Sequence, residues 1–267
     1  IVALLFMTAI ALVNFRGVAE SVKLNVVLTC VELTGLLIII AIGVIAISGG
    51  KGDVSQLTNI KIPEGETAFG AVTAATALAF FAMVGFEDSV NMAEETKEPE
   101  RIFPKIMLLG LTITGIIYVL VAISSVALVP PDQLGEGEAP LLKVVQAGAP
   151  AFPIWIFAFI TMFAVANSAL INMLMASRLL YGMAHEEVLP KPLGKVHKGR
   201  RTPYVAIIFT TVLAFGLIFF ADLTALGGTT SFLLLVVFTV VNVAVLVLRK
   251  DKVAHKHFKS PTIISVI

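Results

Sequence analysis

The stretch FFAMVGFEDSVNMAEETKEP, residues 80–99, decides how the chain is read. Up to Phe86 it is apolar enough for a lipid bilayer, and Glu87 and Asp88 follow at once. Two carboxylates there either mark the water-facing end of a span or are buried for a purpose. The rest of the chain supplies the setting. Hydrophobic residues make up 58% of the 267, charged residues only 14%, and the mean hydropathy is +0.97. Soluble domains average about 25% charged residues. A chain with this balance cannot clothe itself in a water-facing surface, so an all-α integral membrane protein is expected. The net charge of +1 says little about partners, and the single cysteine, Cys30, excludes an intramolecular disulfide and a cysteine cluster.

A span of the hydrocarbon layer needs about 20 residues. Working outward from 80–99, the apolar runs fall at about 1–13, 24–47, 68–95 (broken near 82–86), 103–129, 153–183, 203–221, 229–248 and, in part, 261–267. The whole of 1–267 reads as one transmembrane domain, six complete helices flanked by two fragments, and as a piece of a longer protein. Thr202-Pro203 and Ser260-Pro261 each put a hydroxyl before a proline at a helix entry. If the loops alternate sides, one set carries 16 of the 19 basic residues and the other only Lys51, Lys61 and Lys143. Basic loops stay in the cytoplasm, which orients the chain.

Orientation gives depth. Glu87 lies ten residues from Lys97, roughly 15 Å inward, and Glu32 nine residues from Lys23, roughly 13–14 Å inward. Both carboxyls come out near the midplane, where a charge costs at least ~2.5–3.5 kcal/mol and marks a candidate functional group. Glu32 belongs to a stripe of Ser21, Asn25, Thr29, Glu32 and Gly35 on one helix face. Either it is a structural hydrogen-bonding residue between helices, or it is a protonatable group on a water-accessible path. A second stripe, Thr161, Ala164, Ser168, Asn172 and Ala176 with Asn167 beside it, suits close helix packing. Asn172 is the member whose amide asks most of its surroundings. An unbroken helix through 68–88 would bury Glu87 and Asp88 without an evident partner. A break near Ala82–Gly85 would instead open backbone groups into a cavity, the one place irregular backbone is tolerated at that depth.

Three ordered motifs add a resemblance. FFAMVGFEDSVNMAEETKEPERIFPKIM (80–107), ASRLLYGMAHEEVLPKPLGKVHKGRRTP (176–203) and NFRGVAESVKLNVVLTCVEL (14–33) closely resemble segments of the amino acid–polyamine–organocation (APC) permeases. The resemblance covers essentially the whole chain, from late helix 4 to the start of helix 11. It implies part of a five-plus-five inverted-repeat transporter fold with a broken sixth helix. It assigns substrate binding to Phe80, Phe81, Ala82, Met83, Val84 and Gly85, with Phe81 as aromatic gate, and to Asn172 on the eighth helix. Asn167 and Ser168 would line the eighth-helix pathway. Glu32 and Glu87 would be the proton-coupling candidates. Glu32 departs from the family pattern, because proton-coupled relatives can carry a lysine there. The Gly-rich first helix that binds the substrate carboxylate lies outside these motifs.

The implied activity is that of a secondary active transporter moving amino acids across the cell membrane by alternating access, coupled to protons or working by exchange. A polyamine or organic-cation exchanger and a non-transporting sensor or subunit stay open beside it. The implied partners are an amino acid, protons and the lipid bilayer. No nucleic acid, cofactor or metal is expected, and oligomeric state is left open. An enzyme is not expected, because no nucleophile–base pair or metal-ligand spacing is present. SGGKGD (48–53) lacks phosphate-loop spacing, and His185, His197, His255 and His257 read as solvated loop residues.

Overall fold

In a bilayer the backbone has no partner but itself, so long runs of Leu, Ile, Val and Ala are expected to close their hydrogen bonds within helices. The computed structural model of the chain describes residues 1–58, 62, 65–87, 89–90, 96–137, 139–220, 223–250, 258–259 and 261–262, with side chains except at 18–20, 78, 81 and 223–225. Among the described residues it is all-α, without strands. The helices are α1 (Val2–Arg16), α2 (Val18–Ser48), α3 (Ala68–Met83), α4 (Pro99–Leu128), α5 (Pro131–Leu134), α6 (Pro140–Gly148), α7 (Ile154–His185), α8 (Tyr204–Phe220) and α9 (Leu223–Leu248). Among the described residues, four stretches are long and apolar enough to cross a membrane: Ser21–Ser48, Pro99–Leu128, Ile154–His185 and Leu226–Leu248.

α2, α4 and α9 start four to six residues before the apolar spans they carry. Between α1 and α2 only Gly17 is non-helical, at φ 155° and ψ 159°, a region essentially restricted to glycine. The polar residues around it extend the helices because Asn14 and Ser21 are buried against neighbours rather than left in water. α4 starts at Pro99 and holds Pro104 within it. His185 is the last residue of α7, not a loop residue.

The chain forms two compact units, Ile1–Lys61 with Gly115–Phe219 and Ile62–Thr114 with Phe220–Ile267. In the first unit, α1, α2 and α7 pack around Ile10, Leu28, Leu170 and Met173. Ile39 and Ile42 of α2 and Phe157 of α7 enclose Val129 and the buried Val144 and Val145 of α6. α5 and α6 lie between the apolar runs 103–129 and 153–183. Pro140 starts α6 where a missing N–H costs nothing. The Lys143 ammonium donates to the carbonyls of Gln133 and Glu136 at 2.5 and 2.6 Å, closing the end of α5.

The basic loop before α8 also belongs to this unit. Thr202, expected to cap α8, is buried, and its hydroxyl donates to the Phe15 carbonyl at 3.3 Å. The Arg200 guanidinium donates to the Arg16 carbonyl at 3.4 Å and lies 5.5 Å over the Phe15 ring. The His197 ring meets Phe15 edge-on at 5.3 Å. A loop expected to be simply solvated thus caps the C-terminal end of α1, whose last carbonyls lack helical partners.

In the second unit the end of α3 is joined to α9 through aromatic rings. Phe80 meets Phe238 edge-on at 6.0 Å, and Phe86 lies 5.5 Å from the same ring.

Candidate functional site

A polar seam runs down the contact of α2 with α1 and α7. At its upper end the Asn14 side chain, 1% exposed, donates to the Leu170 carbonyl at 3.3 Å. Ser21, fully buried, donates to Asn14 Oδ1 at 2.9 Å and to the Gly17 carbonyl at 3.1 Å. One turn further, Asn25 Nδ2 donates to Asn167 Oδ1 at 2.7 Å. The Asn167 amide, 7% exposed, donates in turn to Thr29 Oγ1 at 3.1 Å and to Glu32 Oε2 at 3.3 Å. The i, i+3/i+4 stripe of the sequence is therefore one continuous contact face. It ends at Gly35, where a Cβ would fall 2.5 Å from Ile160 Cγ2 and hold the two helices apart.

Glu32 is half-buried, and no basic side chain bonds it among the described residues. Its neighbours are the Asn167 amide of α7 and Thr29 on its own helix, with the Tyr118 phenol of α4 within electrostatic range. Asn14 and Tyr118 were not singled out from sequence. An amide directly after the apolar run 1–13 was the available signal for Asn14. Tyr118 gave none, because a lone phenol in an aliphatic helix reads as packing.

Residues 80–87 are described within the second unit, the Phe81 side chain excepted. α3 continues through Phe80, Phe81, Ala82 and Met83, and the turn is Val84–Gly85–Phe86. The departure from helix therefore starts at Val84. Gly85 has φ 117°, which a side chain would strain. Glu87, half-buried, does not stand free: its Oε2 accepts the Gly85 N–H at 2.9 Å. Ser89 holds the other side of the turn, donating to the Phe86 carbonyl at 2.6 Å and contacting Met107 Sδ at 3.2 Å. By helix geometry the last-turn carbonyls, Phe80 to Met83, have no intrahelical donor. That arrangement can receive a cationic donor such as an ammonium group.

The second stripe divides. Asn167 faces the seam, while Asn172 and Ser168 are exposed, with Asn172 Nδ2 donating to the Ser168 carbonyl at 2.8 Å. Asn172 is bonded along its own helix and takes no part in the Glu32 network. The Phe81 side chain, Asp88, the Ala93-Glu94-Glu95 motif, His255, His257 and Ser260 lie outside the described residues or side chains. Among the described residues no group of three or more His, Cys, Asp or Glu is placed to hold a metal ion.

Membrane-length helices, a carboxylate bonded by an amide of the neighbouring helix, and a helix that stops inside apolar sequence define a multi-pass membrane protein with polar groups set into its spans. Its sequence is more specific. The family model described as amino acid permease matches residues 1–267, and the chain belongs to that family. It is similar to a branched-chain amino acid permease of Bacillus subtilis (28% identity, 94% of this chain and 52% of the relative). It is also similar to a vacuolar cationic amino acid transporter of Arabidopsis thaliana (30%, 92% and 40%) and to a methylthioribose transporter of Bacillus subtilis (28%, 93% and 51%). The chain spans about half the length of the bacterial relatives it matches.

Proposed function

We propose that the complete protein is a secondary active transporter that moves amino acids across the cell membrane by alternating access, in a five-plus-five inverted-repeat fold whose basic loops face the cytoplasm. The observation that carries the reading is the end of α3. It stops at Met83 inside apolar sequence and leaves the carbonyls of the Phe80–Met83 turn without helical donors. That turn and the Val84–Gly85 bend receive the substrate's ammonium group, with the Phe81 ring as gate and Asn172 reaching the side chain. Membership in the amino acid permease family supports an amino acid as the cargo. An organic-cation exchanger is the weaker reading, because the Glu87 carboxylate that would attract a second positive charge is already engaged by the Gly85 N–H.

Coupling to protons rests on Glu32, a carboxyl mid-span with an amide donor and no cation bonded to it among the described residues. Purified complete protein in proteoliposomes is expected to show counterflow of radiolabelled amino acid and accumulation driven by an inward proton gradient. Glu32→Gln is expected to keep counterflow and to lose the pH-driven accumulation. Absence of counterflow for neutral and cationic amino acids alike overturns transport in favour of a sensor or subunit role. Full gradient-driven accumulation by Glu32→Gln overturns proton coupling at that residue.

A further inference from the structure

Glu32, Asn167 and Asn25 form a chain whose hydrogen-bond direction is dictated from one end. An ionised carboxylate only accepts, so Glu32 Oε2 requires the Asn167 amide to present its NH₂ group, as it does at 3.3 Å. The same NH₂ serves Thr29 Oγ1. The Asn167 carbonyl oxygen must then face Asn25, which in turn must present its own NH₂, as it does at 2.7 Å. Each amide has one donor end and one acceptor end, so the first bond determines the second. A protonated Glu32 can donate instead. Asn167 then offers Oδ1 to the carboxyl and its NH₂ to Asn25 Oδ1, and the Thr29 hydroxyl turns with it. Both arrangements keep the Glu32–Asn167 and Asn167–Asn25 bonds while each amide exchanges its nitrogen and oxygen, which makes the pair a two-state element that one proton biases.

We propose that Asn167 and Asn25 are positioning residues forming a polarity relay: protonation of Glu32 reverses both amides and reports the state of the mid-span carboxyl at Asn25. Asn25 lies seven residues from Glu32, roughly 10 Å along the helix toward Gly17. It stands one turn from Ser21, whose hydroxyl is bonded to Asn14 of α1. The groups near Glu32 on the packed elements are the neutral Asn167 amide of α7, bonded to it, and the Tyr118 phenol of α4, within electrostatic range. Neither supplies a fixed charge that would hold the carboxyl in one state. The relay rests on the reading of Glu32 as a carboxyl that titrates during transport.

The test is the pH profile of uptake by the complete protein in proteoliposomes, together with its unfolding temperature. Asn25→Asp places an acceptor-only group at the far end, which turns Asn167 over and presents its carbonyl to Glu32. The profile midpoint is expected to move up by about 1–2 pH units, and the unfolding temperature at neutral pH to fall. Asn25→Ala removes the far partner without dictating a direction, so the midpoint stays in place whatever happens to the rate. In the double variant Asn25→Asp with Glu32→Gln, the glutamine NH₂ satisfies the reversed Asn167, and the unfolding temperature is expected to return to near wild type. A uniform loss of rate with an unmoved midpoint in Asn25→Asp overturns the relay. So does a double variant no more stable than the single one. Glu32→Gln is run alongside: a wild-type profile there overturns the titrating-carboxyl reading itself, whereas a changed profile there with an unmoved Asn25→Asp midpoint overturns the relay alone.

Discussion

At the scale of single residues, placement follows from which polar atoms find partners. Glu32 is tolerable in an aliphatic helix because Asn167 donates to it, and Glu87 at the end of an apolar run because the Gly85 N–H does. Both were visible in sequence as carboxylates set against apolar runs, but their partners were not. Asn167 lies 135 positions from Glu32, and the Gly85 amide is a backbone group with no sequence signature. Asp53 illustrates the same point outside the spans. The Ser55 hydroxyl and backbone N–H both donate to it, at 2.6 and 3.0 Å, and hold its carboxyl below the usual value of 3.8. A lowered carboxyl favours the folded turn above the usual value and loses that contribution as pH falls through the lowered one. Hydrogen exchange at the Ser55 amide is therefore expected to stay protected at pH 3.8 and to lose protection only in more acid solution. Unchanged protection well below that range would mean that the carboxylate is not what orders the turn.

At the scale of elements, α2 and α7 show how much of a helix contact a pattern reveals. The stripe from Ser21 to Gly35 predicts the contact face of α2, and that face is the one the seam uses. What it meets was not legible, because the α7 stripe has two faces and sequence favoured Asn172 on the one that proves exposed. Gly35 tests the fit. A leucine there drives atoms into Ile160, and overpacking of this kind costs about 1–3 kcal/mol. The unfolding temperature of Gly35→Leu is expected to drop, and Ile160→Ala in the same chain to restore part of the loss. An unchanged unfolding temperature in the single variant would mean that α2 and α7 are not in close contact. α6 was missed for a related reason. Its nine residues are too short to stand out by periodicity, and their helical form depends on Val144 and Val145 being enclosed by α2 and α7.

At the scale of the whole molecule, the basic residues carry the orientation, and their distribution is testable directly. With Cys30 replaced by serine, single cysteines at Gly199 and Glu136 are expected to label from opposite sides of intact cells, with Gly199 protected from an impermeant thiol reagent. Equal labelling at both positions would remove the orientation and, with it, the depth assigned to Glu32. Composition and hydropathy by themselves determined an all-α membrane protein, because continuous apolar runs of about 20 residues satisfy their backbone in a bilayer as helices, whereas barrel strands alternate apolar and polar residues. Motif order along residues 14–33, 80–107 and 176–203 was enough to indicate the permease family. The helix ends, the caps and the partners of the buried polar groups were decided only by the tertiary structure. Arg200 and Thr202 close α1 across more than 180 positions, and Asn25 bonds Asn167 across 142. Such bonds depend on which surfaces meet when the helices pack, and local sequence governs a residue's own helix and face but not the atom waiting on the next one.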